Sequence, residues 1–220
     1  MKISKGLLVV VICIVGLVLS FVFRREYLSS EKSKKIQNFQ SVMMDFKNMN
    51  IDQADGEYII FGDSLIQGMS PYVLGVKYVN MGVGGYTASQ ITQLITSSSL
   101  DKYKKVVIEG GVNDALSQSK PEQIGRQMNE AIDAANGKEI VLVQILPLLE
   151  SARKDFKSIN EKIHAINGIT SEHCKSIPNC SVVEVPTDFS DAPSDFYMHD
   201  GVHLRSYGYH VWANHIKLAL

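Results

Sequence analysis

Five residues of this chain have the types that nucleophilic acyl chemistry needs. Ser64 ends the stretch Tyr58-Ile59-Ile60-Phe61-Gly62-Asp63-Ser64, where an apolar run stops abruptly. A serine hydroxyl attacks a carbonyl when a base takes its proton and a third group holds that base. His203 is the candidate base, and Asp200, three residues earlier, the candidate orienting acid. With Gly201 between them, a loop or a first helical turn lets both side chains point the same way. The oxyanion that develops needs hydrogen-bond donors. Ser64 offers its own backbone N–H if it starts a helix, Gly85 can bring an N–H close to a substrate because it has no side chain, and Asn113 offers a side-chain N–H. Taken alone, Gly-Asp-Ser is also an ordinary turn, because Gly and Asp adopt turn conformations at little cost. Asp63 itself reads as a loop carboxylate that bonds nearby backbone N–H groups.

The elements that would position these residues are legible as an alternation. Strand-like runs occur at 58–61, 78–81, 106–109, 140–145 and 182–185, short, β-branched and nearly continuous in apolar character. Such runs are expected of strands buried on both faces of a parallel sheet. Helical patterns lie between them at 87–98, 121–136, 154–174 and 206–220, with Pro121 suited to a first turn and Gly137 to a helix stop. The pattern predicts an α/β fold, a parallel five-stranded sheet with helices on both faces. Functional loops in such sheets lie at the carboxyl ends of the strands. "GDS" follows the first run, "GVGGYT" the second and "GGVND" the third, while "MHDGVH" lies between the fifth and the last helix.

The segments "FGDSL", "NMGVGGYT", "GGVND" and "DGVHL" resemble, in order and spacing, the four blocks of the SGNH (GDSL-type) hydrolase superfamily, over roughly residues 57 to 218. The resemblance implies a three-layer, flavodoxin-like fold and a serine hydrolase acting on carboxylic esters through an acyl-enzyme. It implies Ser64 as nucleophile and oxyanion donor, Gly85 and Asn113 as the other oxyanion donors, and Asp200 with His203 as the rest of the triad. Gly82 and Gly84 are then structural neighbours of Gly85. Tyr86 departs from the pattern, standing where many members carry a polar or acidic residue, and this bears on substrate preference. Two other readings stay open: an O-acyltransferase using the same triad, and a non-catalytic binding module that keeps the pocket.

Other chemistries find less support. With 22 basic and 23 acidic residues there is no basic face for nucleic acid. The stretch "GVGGY" lacks the full glycine spacing of a dinucleotide loop. His199, Asp200 and His203 lack the helical spacing or further ligand cluster of a metal site. No cofactor and no metal are expected, and the partner expected is a small-molecule, lipid or glycan ester. His164, His173, His210 and His215 read as solvated or packing residues of helices, and Trp212 and Tyr207 as packing residues of the last one.

The first 25 residues read as an N-terminal membrane anchor or signal peptide, because residues 6–23 carry no charge. Residues 26–55 read as a stalk or first helix, broken between Asp52 and Gly56, and residues 56–220 as the hydrolase domain. The expected arrangement is a single-pass transmembrane helix, with Cys13 within it, and an extracytoplasmic catalytic domain, although lysines and arginines flank both ends of the run. Cys174 and Cys180, with Pro178-Asn179 between them, are either a disulfide or two unrelated thiols.

Overall fold

The computed structural model describes residues 5–54, 56–117, 119–190 and 193–220, with backbone alone for residues 5 and 7–13. The chain divides into two compact units between Asp45 and Phe46. The first helix, α1, spans Lys5–Gln53 and runs unbroken past residue 25, ending within the expected break. Its start corrects an expectation. Among the described residues no helix is long and apolar enough to cross a membrane. The apolar stretch with described side chains, Ile14–Phe23, rises about 15 Å, half of a hydrocarbon core of about 30 Å, before Arg24 and Arg25. The side chains of 7–13, Cys13 included, lie outside the described residues. The transmembrane helix, the single-pass anchor and the extracytoplasmic placement that rested on it are therefore not retained.

The second unit is built on five strands: β1 Tyr58–Gly62, β2 Tyr78–Gly82, β3 Lys105–Ile108, β4 Glu139–Val143 and β5 Cys180–Val183. They form one parallel sheet in the order β2-β1-β3-β4-β5, the flavodoxin-like order. The helices are α2 Ser64–Gln67, α3 Ala88–Ser97, α4 Val112–Ala115, α5 Pro121–Ala134, α6 Phe156–Lys175 and α7 Ser206–Leu218. Strand residues alternate between two buried faces. Ile60, Val107, Val141 and Val183 join Leu65 and Ile66 of α2 and Trp212, Ala213 and Ile216 of α7 in one apolar cluster. Ile59, Phe61, Val106 and Ile108 point the other way and are buried too, on the side where α3, α5 and α6 pack against one another. Continuous apolar strands follow from this double coverage.

Three strands are shifted from the sequence expectation. β4 stops at Val143 and β5 at Val183 because Gln144 ends the ladder: its N–H bonds Val183 O, and its side-chain Oε1 takes the N–H of Val185. β3 stops at Ile108, so Glu109 lies just beyond the strand. Cys174 of α6 and Cys180 of β5 form a disulfide with Cα atoms 5.3 Å apart, which decides between the two readings of that pair. Trp212 is fully buried as expected, whereas Tyr207 is more than half exposed and touches Phe196 edge-on at 5.3 Å.

Candidate active site

Ser64 is placed by a strand that ends against a helix. β1 finishes at Gly62, Asp63 caps α2, and Ser64 is the first helical residue. The Asp63 Oδ1 accepts the N–H of Leu65 at 2.9 Å, as the loop-carboxylate reading predicts. Being first in α2, the Ser64 N–H has no partner within the helix. Gly62 and Gly82 allow the turn to close: a β-carbon on Gly62 would lie 2.9 Å from Glu109 Oε2, and one on Gly82 would collide with the backbone of Gln67. Asn80 ties the end of α2 down. Its Nδ2 donates to Ile66 O at 2.6 Å and its Oδ1 accepts the Gly82 N–H at 2.9 Å.

His203 and Asp200 share a tight turn before α7. Met198 N–H bonds His203 O at 2.7 Å, and Arg205 N–H bonds Phe196 O at 2.7 Å. Gly201 sits at φ +70° with its carbonyl accepting Leu149 N–H at 2.9 Å, and a β-carbon there would be 2.5 Å from Ala152 Cβ. Only glycine fits this position. The turn brings His203 Nδ1 to 2.7 Å from Asp200 Oδ2 and His203 Nε2 to 2.9 Å from Ser64 Oγ. The other carboxylate oxygen of Asp200 accepts the N–H groups of Val202 and His203, both at 3.0 Å. Partial burial pushes the Asp200 carboxyl up, but these hydrogen bonds and the nearby imidazole outweigh it and leave the carboxyl below its ordinary value. A serine, an imidazole and an ionised carboxylate thus form one hydrogen-bonded chain, the arrangement that can move a proton off a hydroxyl.

The two remaining candidate donors, Gly85 and Asn113, follow β2 and β3. Gly84 and Gly85 form a turn, with Gly85 at φ +79°. Thr87 then caps α3 with a reciprocal bond to Gln90. Asn113 lies on α4, which follows Gly110 and Gly111 at φ +150° and +105°. The Asn113 Nδ2 donates to Tyr86 O at 2.9 Å, which fixes the carboxamide and leaves its second N–H for another acceptor. Asp114, next in α4, accepts the Ala88 N–H at 2.8 Å and locks the two loops together.

The profile of the GDSL-like Lipase/Acylhydrolase family matches residues 60–211, more than half of the chain. The chain belongs to that family. Its fold is shared with solved GDSL-family and related structures. One is a Streptococcus pneumonia protein, provisionally described as a platelet activating factor, at 19% identity and TM-score 0.72, covering 84% of this chain and 94% of that one. Another is a lipase/acylhydrolase from Enterococcus faecalis, at 20% identity and TM-score 0.64, covering 73% and 93%. A third is a GDSL-like lipase from Bacteroides thetaiotaomicron, at 22% identity and TM-score 0.63, covering 80% and 96%. No curated protein matches the sequence. Membership makes this chain an ester hydrolase at the level of the family, with small-molecule esters as the class of substrate.

Within this GDSL-like hydrolase, the structure brings Ser64, His203 and Asp200 into contact and sets Gly85 and Asn113 on the two loops linked by Tyr86. His173 bonds Asp133 at 2.8 Å, linking α6 to α5. Tyr86 is 8% exposed, so its ring packs in the core while its carbonyl serves Asn113. Sequence reasoning missed Asn80, Lys47 and Glu109. Lys47 Nζ bonds Asn80 O at 2.8 Å and Asn80 Oδ1 at 3.3 Å, and burial pushes its ammonium below the ordinary lysine value. Lys47 has no sequence signal, and Asn80, although it opens the segment NMGVGGYT, gives none for this pairing, because the two meet only across 33 residues of chain.

Proposed function

We propose that this family member is a serine esterase in which Ser64 is the nucleophile, His203 the general base and Asp200 the residue that orients it. Ser64 Oγ attacks the ester carbonyl as its proton passes to His203 Nε2. The imidazolium that forms is held by the Asp200 carboxylate and then gives the proton to the leaving alcohol. Water repeats the sequence on the acyl-enzyme and frees Ser64. The oxyanion is met by the N–H groups of Ser64 and Gly85 and by the Asn113 side chain. The substrates are acyl or acetyl esters of a lipid or glycan.

The observation that carries this reading is the continuous chain from Ser64 Oγ through His203 to Asp200, at 2.9 and 2.7 Å. A serine in an ordinary turn does not find an imidazole 139 residues away that is itself held by a carboxylate. The test is hydrolysis of p-nitrophenyl esters of increasing chain length by the wild type and by Ser64→Ala. The wild type should turn over one range of chain lengths and the variant none, while both unfold at the same urea concentration. Retention of more than about a tenth of the activity by the variant would refute the assignment.

A further inference from the structure

Two carboxyl groups lie directly beneath the Ser64 turn, and the mechanism above uses neither. Asp63 and Glu109 are both fully buried. Glu109 follows β3, with its N–H on Phe61 O at 3.0 Å, so it sits beside the end of β1. Its carboxyl is lodged under Gly62, the residue before Asp63, where a β-carbon would be 2.9 Å from Oε2. Asp63 spends Oδ1 on the Leu65 N–H. The remaining three carboxyl oxygens, Asp63 Oδ2 and both of Glu109, are buried with no donor from the described residues.

Buried oxygens without donors are costly, and two buried carboxylates near enough for the charge of one to act on the other are costlier still. One proton resolves both problems. It turns one carboxyl into the donor that the other lacks, and it leaves a single negative charge in the site. We propose that Asp63 and Glu109 hold one shared proton beneath the Ser64 turn, with Glu109 as the acid and Asp63 as the carboxylate, and that Glu109 is thereby a positioning residue for Ser64.

The surroundings favour this distribution. Burial pushes both carboxyls up, each is pushed further by a neighbouring carboxylate, and Glu109 rises well above the ordinary range. Asp63 is drawn back down by the Leu65 N–H and by the charge of His203, against the opposing charge of Asp114 on α4. On Glu109 the Asp63 charge pushes further up, and the Asp63 backbone N–H, nearby but outside hydrogen-bond geometry, offsets this only in part. From α7, the Tyr209 hydroxyl donates to Leu65 O at 2.8 Å and feels both acids. Asp63 can therefore stay ionised on the turn only while Glu109 keeps its proton. When that proton leaves in alkali, a second buried negative charge sits under the turn. That charge opposes the oxyanion above it and loosens the cap that sets Ser64, so turnover falls as pH rises.

The mechanistic role rests on Ser64 being the nucleophile; the shared proton does not. Infrared spectra of the wild-type protein at pH 7, unlabelled and carrying ¹³C-glutamate, test the proton without any substitution. A protonated-carboxyl C=O band that shifts with the glutamate label, and that disappears over the pH range in which kcat falls, is the expected result. Absence of such a band, or a band that responds only to labelled aspartate, overturns the assignment. Two variants test the positioning role. Glu109→Gln still offers Asp63 an N–H donor, and it should move the alkaline fall in kcat upward or remove it. Glu109→Leu offers none, and it should lower kcat at pH 7 by about 10- to 100-fold, the value of a hydrogen bond to a charged group, with a smaller change in KM. Equal loss in both variants, or an alkaline limb that stays in place in Glu109→Gln, overturns the role. If neither variant folds, the wild-type spectra and the wild-type pH profile still decide the proton. Failure of Ser64 to react with a phosphonate, with the glutamate band present, would refute the nucleophile and leave the proton pair standing.

Discussion

Replacing Asp200 by asparagine separates orientation of the base from stability of the turn. One oxygen of Asp200 accepts two backbone N–H groups, from Val202 and His203, each at 3.0 Å. The other accepts His203 Nδ1–H at 2.7 Å. Asparagine can keep the two backbone bonds through its own Oδ1. Its Nδ2 then faces His203 Nδ1 as a donor, so Nδ1 must accept and the ring proton moves to Nε2. That nitrogen is 2.9 Å from Ser64 Oγ and now donates to the hydroxyl it should deprotonate. The base is lost with the geometry intact. A reversed tautomer of this kind costs about 10⁴ in kcat, or ~5.4 kcal/mol of transition-state stabilisation. Stability should change by no more than about 1 kcal/mol, because the backbone bonds persist and the side chain is partly exposed. The assay is steady-state hydrolysis of p-nitrophenyl acetate, paired with urea unfolding. A variant that keeps kcat within about tenfold of wild type would refute the tautomer argument. So would a loss of activity explained by unfolding.

Asn113→Ala should lower kcat by about 10²–10³ with a much smaller effect on KM, as measured by steady-state kinetics, since it removes an oxyanion donor. A raised KM with kcat unchanged would make Asn113 a binding residue. Lys47→Met should destabilise the second unit by about 1–3 kcal/mol in urea titration, because it removes the charged donor to Asn80 O and Oδ1 and with it part of the clamp on α2. Cys174→Ser with Cys180→Ser should lower stability by about 2 kcal/mol, the chain-entropy value for so short a loop, with kcat unchanged because the bridge joins α6 to β5. Thiol titration of the unfolded, unreduced wild type, with Cys13 as the remaining cysteine, should find one free thiol; three would contradict the bridge.

The strand-helix alternation was legible because β1, β3 and β4, inside the sheet, are buried on both sides, so their apolar runs are continuous and their ends are marked by glycine or polar residues. Ser64 and Asn113 could be singled out because each follows a strand end, and the Asp200–His203 pair because it stands in a glycine turn just before the last helix, all with side chains that packing does not call for. Glu109 could not. It closes the run Val106-Val107-Ile108 and reads as the last strand residue, and only its charge, set against a buried run, signals that it has another place. Lys47 looks like any lysine of a polar helix, and its burial follows from α1 ending against Asn80. The end of β5 depends on where Gln144 sends its side chain, a choice made by the neighbouring strand. The N-terminal expectation failed differently: absence of charge over a run is a local property, whereas spanning a bilayer requires enough consecutive apolar length, and among the described residues the apolar side chains run only from Ile14 to Phe23.

The most direct test of the central claim is intact-mass spectrometry after exposure to a fluorophosphonate ester, followed by peptide mapping. The hydrogen-bonded chain from Ser64 to Asp200 predicts one adduct per molecule, on Ser64, formed quickly in the wild type, far more slowly in His203→Ala and not at all in Ser64→Ala. An adduct on another residue, or an unmodified wild type that still hydrolyses p-nitrophenyl esters, would contradict it.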